Sequence, residues 1–220
     1  MKKILAVGIS AIMAFGLCAF AGCGGETQEL QTIRYENGSV YEGQVTDGKA
    51  NGEGILTDAD GNVWKGEFVH DLLQGYGTYT GVDFVEYTGE FKDSQFHGLG
   101  NIVYANGDEY WGQFENGQKI GVGKMIFADS GCVYEGDWTE DNMSGMGWMT
   151  WPVGDVYWGS WRGGNPQGFG CKVFFDANFS VRGDYLTYNI YAGRMLNNLM
   201  DGWGVMYYAE SGGVYAGNWK

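Results

Sequence analysis

From Tyr41 onward the chain alternates large apolar and polar side chains in short runs, the period-two signature of a half-buried strand. YEGDW at 134–138 shows the pattern: Tyr134, Gly136 and Trp138 share one face, while Glu135 and Asp137 share the other. The pattern recurs. With the aromatic as position one, units start at Tyr41, Trp64, Tyr87, Tyr110, Tyr134, Tyr157, Tyr191 and Tyr215, at intervals of 23, 23, 23, 24, 23, 34 and 24. Position three is Gly in every unit, from Gly43 to Gly217, and position five is mostly bulky, as in Phe68, Phe114, Trp138 and Trp161. Positions twelve and fourteen are Gly in all seven full units, from Gly52 and Gly54 to Gly202 and Gly204. Position eight carries turn formers such as Gly48, Asp71, Asp141 and Asn198. Each unit therefore reads as strand, turn and strand. Gly136 leaves room for Tyr134 and Trp138 to lean over its backbone, and the next unit must cover what one unit cannot bury.

The array resembles the MORN repeat, whose pattern is roughly Y-x-G-x-W-x-x-G-x-x-x-G-x-G, over residues 41–220. IRYENGSV at 33–40 matches the back half of a unit, so the array is expected over 33–220. The resemblance implies an all-β fold: tandem β-hairpins in one elongated antiparallel sheet, a MORN-type solenoid of about seven full repeats plus partial repeats at both ends. Unit six departs from the period. It carries eleven extra residues, an insertion placed around 176–190, read as a longer hairpin with Tyr185, Leu186 and Tyr188 on the sheet. RGD at 182–184 resembles a cell-adhesion tripeptide, a match short enough to be read as chance.

The first residues follow different rules. Lys2 and Lys3 precede an apolar run from Ile4 to Ala21 that ends in small residues, which reads as a secretory signal peptide over 1–22. FAGC at 20–23 resembles the lipobox of bacterial lipoproteins, with Phe20 where that motif usually has Leu. The resemblance implies lipidation of Cys23, a linker over 23–32, and a domain held on the extracytoplasmic face of a cell membrane, since several acyl chains anchor stably.

Composition narrows the rest. There are 40 Gly, only 2 Pro, and 9 Trp, 15 Tyr and 12 Phe, so the chain is neither collagen nor linker, and it has ample apolar area to bury. Removing Lys2 and Lys3 leaves 11 basic residues against 27 acidic ones, a formal charge of −16. That excludes nucleic acid as a partner and opposes direct docking on anionic lipid.

Motifs for chemistry are sparse. His70 falls in a turn and His97 before a Gly-x-Gly, and neither has a companion for a metal site or a triad; both are expected exposed. DADGN at 58–62 has its Gly two positions too early for a calcium loop. The Gly-x-Gly pairs lack the helix and Lys of a phosphate loop. Cys132 and Cys171 are placed in second strands two units apart, roughly 19 Å, too far for a disulfide, and are expected as mostly buried free thiols. No catalytic residue, metal or cofactor is assigned, and the chain reads as a non-enzyme.

One asymmetry points to function. On the face opposite the rings, units one to three carry mostly Glu42, Gln44, Lys65, Glu67 and Glu90, with Tyr76 and Leu99. Units four to seven gain Trp111, Trp148, Trp158, Phe169, Trp203 and Tyr207, a candidate binding patch. The expected function is a membrane-anchored scaffold or protein-binding module. A second reading is a glycan-binding surface lipoprotein using the same aromatics, and a third a surface hydrolase using Glu67 and Glu90. The partners expected are a protein, with a glycan as the alternative, the membrane through the lipid, and a second copy through end strands.

Overall fold

The computed structural model describes residues 3–4, 29–83, 85–175 and 188–220, so the expected signal peptide except for 3–4, Cys23, the RGD tripeptide and the expected insertion up to residue 187 lie outside the described residues. The chain divides into two units, Met1–Gln95 and Phe96–Lys220. In the first, β2 (Gln31–Tyr35), β3 (Val40–Thr46), β4 (Lys49–Thr57), β5 (Val63–Val69), β6 (Leu72–Thr80) and β7 (Glu86–Lys92) pair antiparallel in chain order, and a two-residue β1 (Lys3–Ile4) pairs with β2. The second holds β8 (Gln95–Val103, from Phe96 onward), β9 (Glu109–Glu115), β10 (Gln118–Ile126), β11 (Val133–Thr139), β12 (Asn142–Thr150), β13 (Val156–Arg162), β14 (Asn165–Phe175), β15 (Tyr188–Leu196), β16 (Leu199–Tyr208) and β17 (Gly213–Trp219), again antiparallel in chain order. The fold is all-β, built of tandem antiparallel hairpins as expected, and no described helix is long and apolar enough to cross a membrane.

Two backbone devices shape each hairpin. The first is a two-residue turn with both residues left-handed: His70 and Asp71 at φ 50° and 71°, Glu140 and Asp141 at 47° and 65°, Asn197 and Asn198 at 50° and 66°. This is the primed turn whose twist suits a hairpin. The second is a β-bulge. Gly136 faces Gly147, but Asp137 faces Ser144, so β12 holds two extra residues, Gly145 and Met146. The position-twelve glycines take φ values from 52° to 108°, which explains why no other residue appears there. The bulge leaves a backbone N–H free of the ladder, and the position-four side chain accepts from it. Gln44 Oε1 accepts from Glu53 N at 3.1 Å, Gln113 Oε1 from Val122 N at 3.2 Å, and Asp137 Oδ2 from Met146 N at 2.7 Å.

The position-fourteen glycines serve a different purpose. A Cβ on Gly147 would overlap the Tyr134 ring, and the same holds at Gly54, Gly123, Gly170 and Gly204 against their own tyrosines. Each Tyr lies across the glycine pair and donates its hydroxyl to the carbonyl three residues on: Tyr134 to Asp137 at 2.9 Å, Tyr157 to Ser160 at 3.1 Å, Tyr191 to Arg194 at 2.8 Å. These tyrosines are fully buried. Position five then locks neighbours together. Trp138 packs edge-on against Tyr134 of its own strand and Tyr110 of the preceding hairpin, at 5.3 and 5.2 Å, and its indole N–H donates to Gly123 O at 3.2 Å. Trp161 repeats this against Tyr157, Tyr134 and Gly147 O. Lys119 departs from the apolar pattern of that face. Its ammonium is held by Tyr104 Oη at 2.8 Å and Asp141 at 3.1 Å, with Tyr110 and Trp138 rings beneath it.

Burial of the tyrosines has a pH consequence. Burial first, with Glu53 adding to it, pushes the Tyr41 phenol up to about 12, burial alone pushes Tyr157 to about 12, and burial drives Tyr110 and Tyr134 higher still. An unfolded phenol ionises near ~10. The unfolded chain thus sheds these protons first, so their contribution is complete below about pH 10 and is lost as pH rises through about 12. Denaturation midpoints should hold up to about pH 9 and fall from there to pH 12, with tyrosinate absorbance lagging behind that of free tyrosine. A midpoint that stays flat across this range would refute the buried-phenol assignment.

Cys132 and Cys171, the two cysteines among the described residues, are free thiols, as expected. Cys132 is buried but sits in the loop before β11, not in a second strand, because β10 already ends at Ile126. Cys171 lies in the second strand β14 and is only half-buried, because it points to the outer face opposite Trp158.

Candidate functional site

The outer face of residues 96–220 can be built row by row, because register carries side chains across the strands. The middle row runs Asn101, Trp111, Lys124, Glu135, Trp148, Trp158, Cys171. Trp148 and Trp158 stand directly opposite each other on β12 and β13. Lys124 Nζ pairs with Glu135 at 2.8 Å, so the row holds a neutralised ion pair between Trp111 and Trp148. Toward the turns, Leu99, Val122, Met146, Phe169 and Trp203 are all exposed. Toward the loops, Ile126, Val133, Thr150, Val156, Val173, Ile190 and Tyr207 follow one another in register.

All six candidate residues, Trp111, Trp148, Trp158, Phe169, Trp203 and Tyr207, are exposed on this face. Trp111, Trp148 and Trp158 share the middle row; Phe169 and Trp203 belong to the turn-side row, and Tyr207 to the loop-side row. Across the three rows, Val122, Met146, Glu135, Trp148, Trp158 and Val133 line a shallow depression of about 430 Å³, with Gly136 and Gly147 among its walls. Val122, Met146 and the β-branched loop-side row escaped the sequence reading. Their signal was present at positions thirteen and seventeen and at the residue before position one, where Val, Ile and Met look like ordinary strand residues.

The first unit's outer face is more polar by comparison, with Thr32, Glu42, Ile55, Lys65, Thr78 and Thr88 in its middle row, where Ile55 alone is apolar. Glu67 and Glu90 stand exposed there with β6 between their strands. That is a solvated strand face, with the exposed Tyr76 standing directly opposite Glu90. Asp137, at the same repeat position, is occupied by the Met146 N–H. The Asp137 carboxylate thus has a structural role as the cap of its bulge. His70 is exposed in its turn, while His97 is half-buried in β8, contrary to expectation, because its position lies between the bulge glycine and the ring face. The Asp58 carboxylate accepts from Asp60 N and Asn62 N within its own loop, which fits a turn rather than a calcium loop. Among the described residues no cluster of three or more His, Cys, Asp or Glu could hold a metal ion.

The architecture defines a class: a repeat protein of stacked β-hairpins, ring-packed on one face and, in its second unit, apolar on the other. The MORN repeat matches residues 41–63, 64–84, 87–109, 110–132, 134–156, 157–178 and 191–212, and the chain belongs to that family. No curated protein matches it. Solved structures that resemble it include the TCP domain of SAS-4 (dCPAP) in complex with a proline-rich motif of Ana2 (dSTIL) from Drosophila melanogaster. That alignment covers 76% of this chain and 95% of that chain at 11% identity, with a TM-score of 0.41. A likeness that loose says nothing of what this chain binds.

Proposed function

We propose that the chain is a non-catalytic protein-binding module, held at the extracytoplasmic face of a membrane by a lipid on Cys23. One observation carries the binding half: Trp111, Trp148, Trp158, Met146, Phe169 and Trp203 stand exposed on one face of residues 96–220, bordered by a half-buried β-branched row. Apolar patches of that extent mark interaction sites, and Trp and Tyr dominate their energetics. The anchoring half rests on Lys2, Lys3, the apolar run and FAGC at 20–23.

A photo-crosslinking side chain at position 158 of the full chain tests the face. Adducts should be to protein, should be absent when the crosslinker stands at position 65, and should drop at least tenfold with Trp148→Ala. Equal adducts at both positions would remove the reading. Labelled fatty acid should enter the chain and be lost with Cys23→Ala. The opposed indoles of Trp148 and Trp158 would also stack on sugar rings. Retention on insoluble glycan that the Trp148→Ala/Trp158→Ala pair abolishes, without protein adducts, would favour a glycan instead.

A further inference from the structure

The geometry points to an occupant for this face: an amphipathic α-helix with an apolar stripe and basic flanks, lying across the strands of residues 96–220. The inference rests on the protein-binding reading above. It begins with the turn-side row. Leu99, Val122, Met146, Phe169 and Trp203 project from β8, β10, β12, β14 and β16, every second strand. The strands between them place polar residues in that row: Gln113, Asp137, Ser160 and Arg194. Gln113 and Asp137 are bent down onto the bulge N–H groups, which leaves the apolar members prominent.

Strands lie ~4.8 Å apart, so an apolar side chain recurs every ~9.6 Å along the row. A helix rises ~1.5 Å per residue, so positions seven apart recur every ~10.5 Å. The two periods differ by only about 1 Å per repeat, a drift that side-chain reach absorbs between neighbouring anchors. An extended peptide crossing the strands would present same-side groups every ~6.7 Å and would fall out of step at once. From β8 to β16 the row spans about 38 Å, the length of about 25 helical residues. Three rows of same-face residues make a strip about 13 Å wide, close to the ~10–12 Å diameter of a helix.

Charge selects the kind of helix. Exposed carboxylates outnumber cations along the borders of the strip: Glu115 and Glu140 against Arg162 at the turns, Asp129 and Glu210 at the loops. Residues 96–220 hold 13 acidic and 7 basic side chains. A helix with an apolar stripe seats it between these borders and brings its flanks to them, so Lys or Arg on the flanks meets opposite charge and Glu or Asp meets repulsion. Exposed rims make that attraction sensitive to salt.

The test uses the full chain on a biosensor with three synthetic 25-residue peptides. One is a Leu/Lys helix with Leu in a heptad stripe, the second has the same composition in an order without helical period, and the third replaces Lys with Glu. The Leu/Lys helix should bind at least tenfold tighter than the other two, weaken as salt rises, and lose about tenfold with Phe169→Ala, whose circular dichroism should match that of the unaltered chain. Equal binding of the ordered and unordered Leu/Lys peptides, with both weakened by Phe169→Ala, would overturn the helix while leaving the face as a protein-docking surface. Binding of neither, or binding that Phe169→Ala leaves unchanged, would also overturn it. The crosslinks at position 158 judge the broader reading separately.

Discussion

Gly147→Ala is expected to cost the protein about 2–4 kcal/mol, more than Gly145→Ala in the same β11–β12 hairpin. The estimate has two parts. The new Cβ would enter the space of the Tyr134 ring, which is fully buried between β11 and its neighbours and has nowhere to retreat without moving Trp138 and Trp161. Overpacking of that kind costs about 1–3 kcal/mol. A displaced ring also gives up the bond from its hydroxyl to Asp137 O, worth about 1 kcal/mol. Two other glycines supply an internal scale. Gly117→Ala has nothing within 4 Å of its new Cβ and pays only for a left-handed backbone at φ 82°, about 1 kcal/mol. Gly145→Ala pays that backbone cost at φ 52° and in addition presses on the Asp137 carboxylate that caps the bulge, so it should fall between the two. Urea denaturation followed by tryptophan fluorescence measures all three. Tyr134→Leu should recover part of the Gly147→Ala loss in a double-mutant cycle. If Gly147→Ala lies within about 0.5 kcal/mol of the unaltered chain, the nesting of ring on glycine is not what holds the hairpin.

This ranking separates two glycines that look alike in sequence. Positions twelve and fourteen are both invariant across the seven units, and alternation alone assigns both to making room for rings. Only position fourteen does that. Position twelve is Gly for its backbone angle, and that requirement stems from a bulge whose two extra residues leave the face assignment of every later residue unchanged. An irregularity of even length cannot be seen in a period-two pattern. The ring face was legible for the opposite reason: Tyr, Gly and Trp at positions one, three and five are chemically distinctive and keep the repeat spacing. The tyrosine hydroxyl bond and the indole bond to the preceding hairpin were not legible, because both end on backbone carbonyls that carry no residue identity. The candidate patch was half legible. Its tryptophans stand out against polar neighbours, whereas Val122, Met146 and the β-branched row toward the loops look like ordinary strand residues until register sets them side by side.

Strand β13 offers the sharpest contrast, because Trp158 and Trp161 lie three residues apart and face opposite ways. Trp161 is 5% exposed and Trp158 is 53% exposed. Trp161→Ala should cost about 3–5 kcal/mol, since it removes a buried ring that touches Tyr157 at 5.4 Å and Tyr134 of the preceding hairpin at 5.0 Å, and it removes the indole N–H that donates to Gly147 O. Trp161→Phe keeps a ring in that place and should lose only part of this, as position five tolerates Phe68, Phe91 and Phe114 in other units. Because each hairpin is stabilised by its neighbours, the loss should spread as broadened unfolding with a lower slope in urea rather than as a clean shift of one transition. Trp158→Ala should change stability by less than about 1 kcal/mol, because the indole gives up little buried area. Its effect should instead appear in binding, as at least a tenfold loss for whatever protein the outer face takes. Hydrogen exchange distinguishes the two substitutions directly. Amides of β11 to β14 should open in Trp161→Ala and stay protected in Trp158→Ala. Were Trp158→Ala to unfold the strand as Trp161→Ala does, the outer aromatics would be structural, and the surface proposed for a partner would be part of the fold's own support.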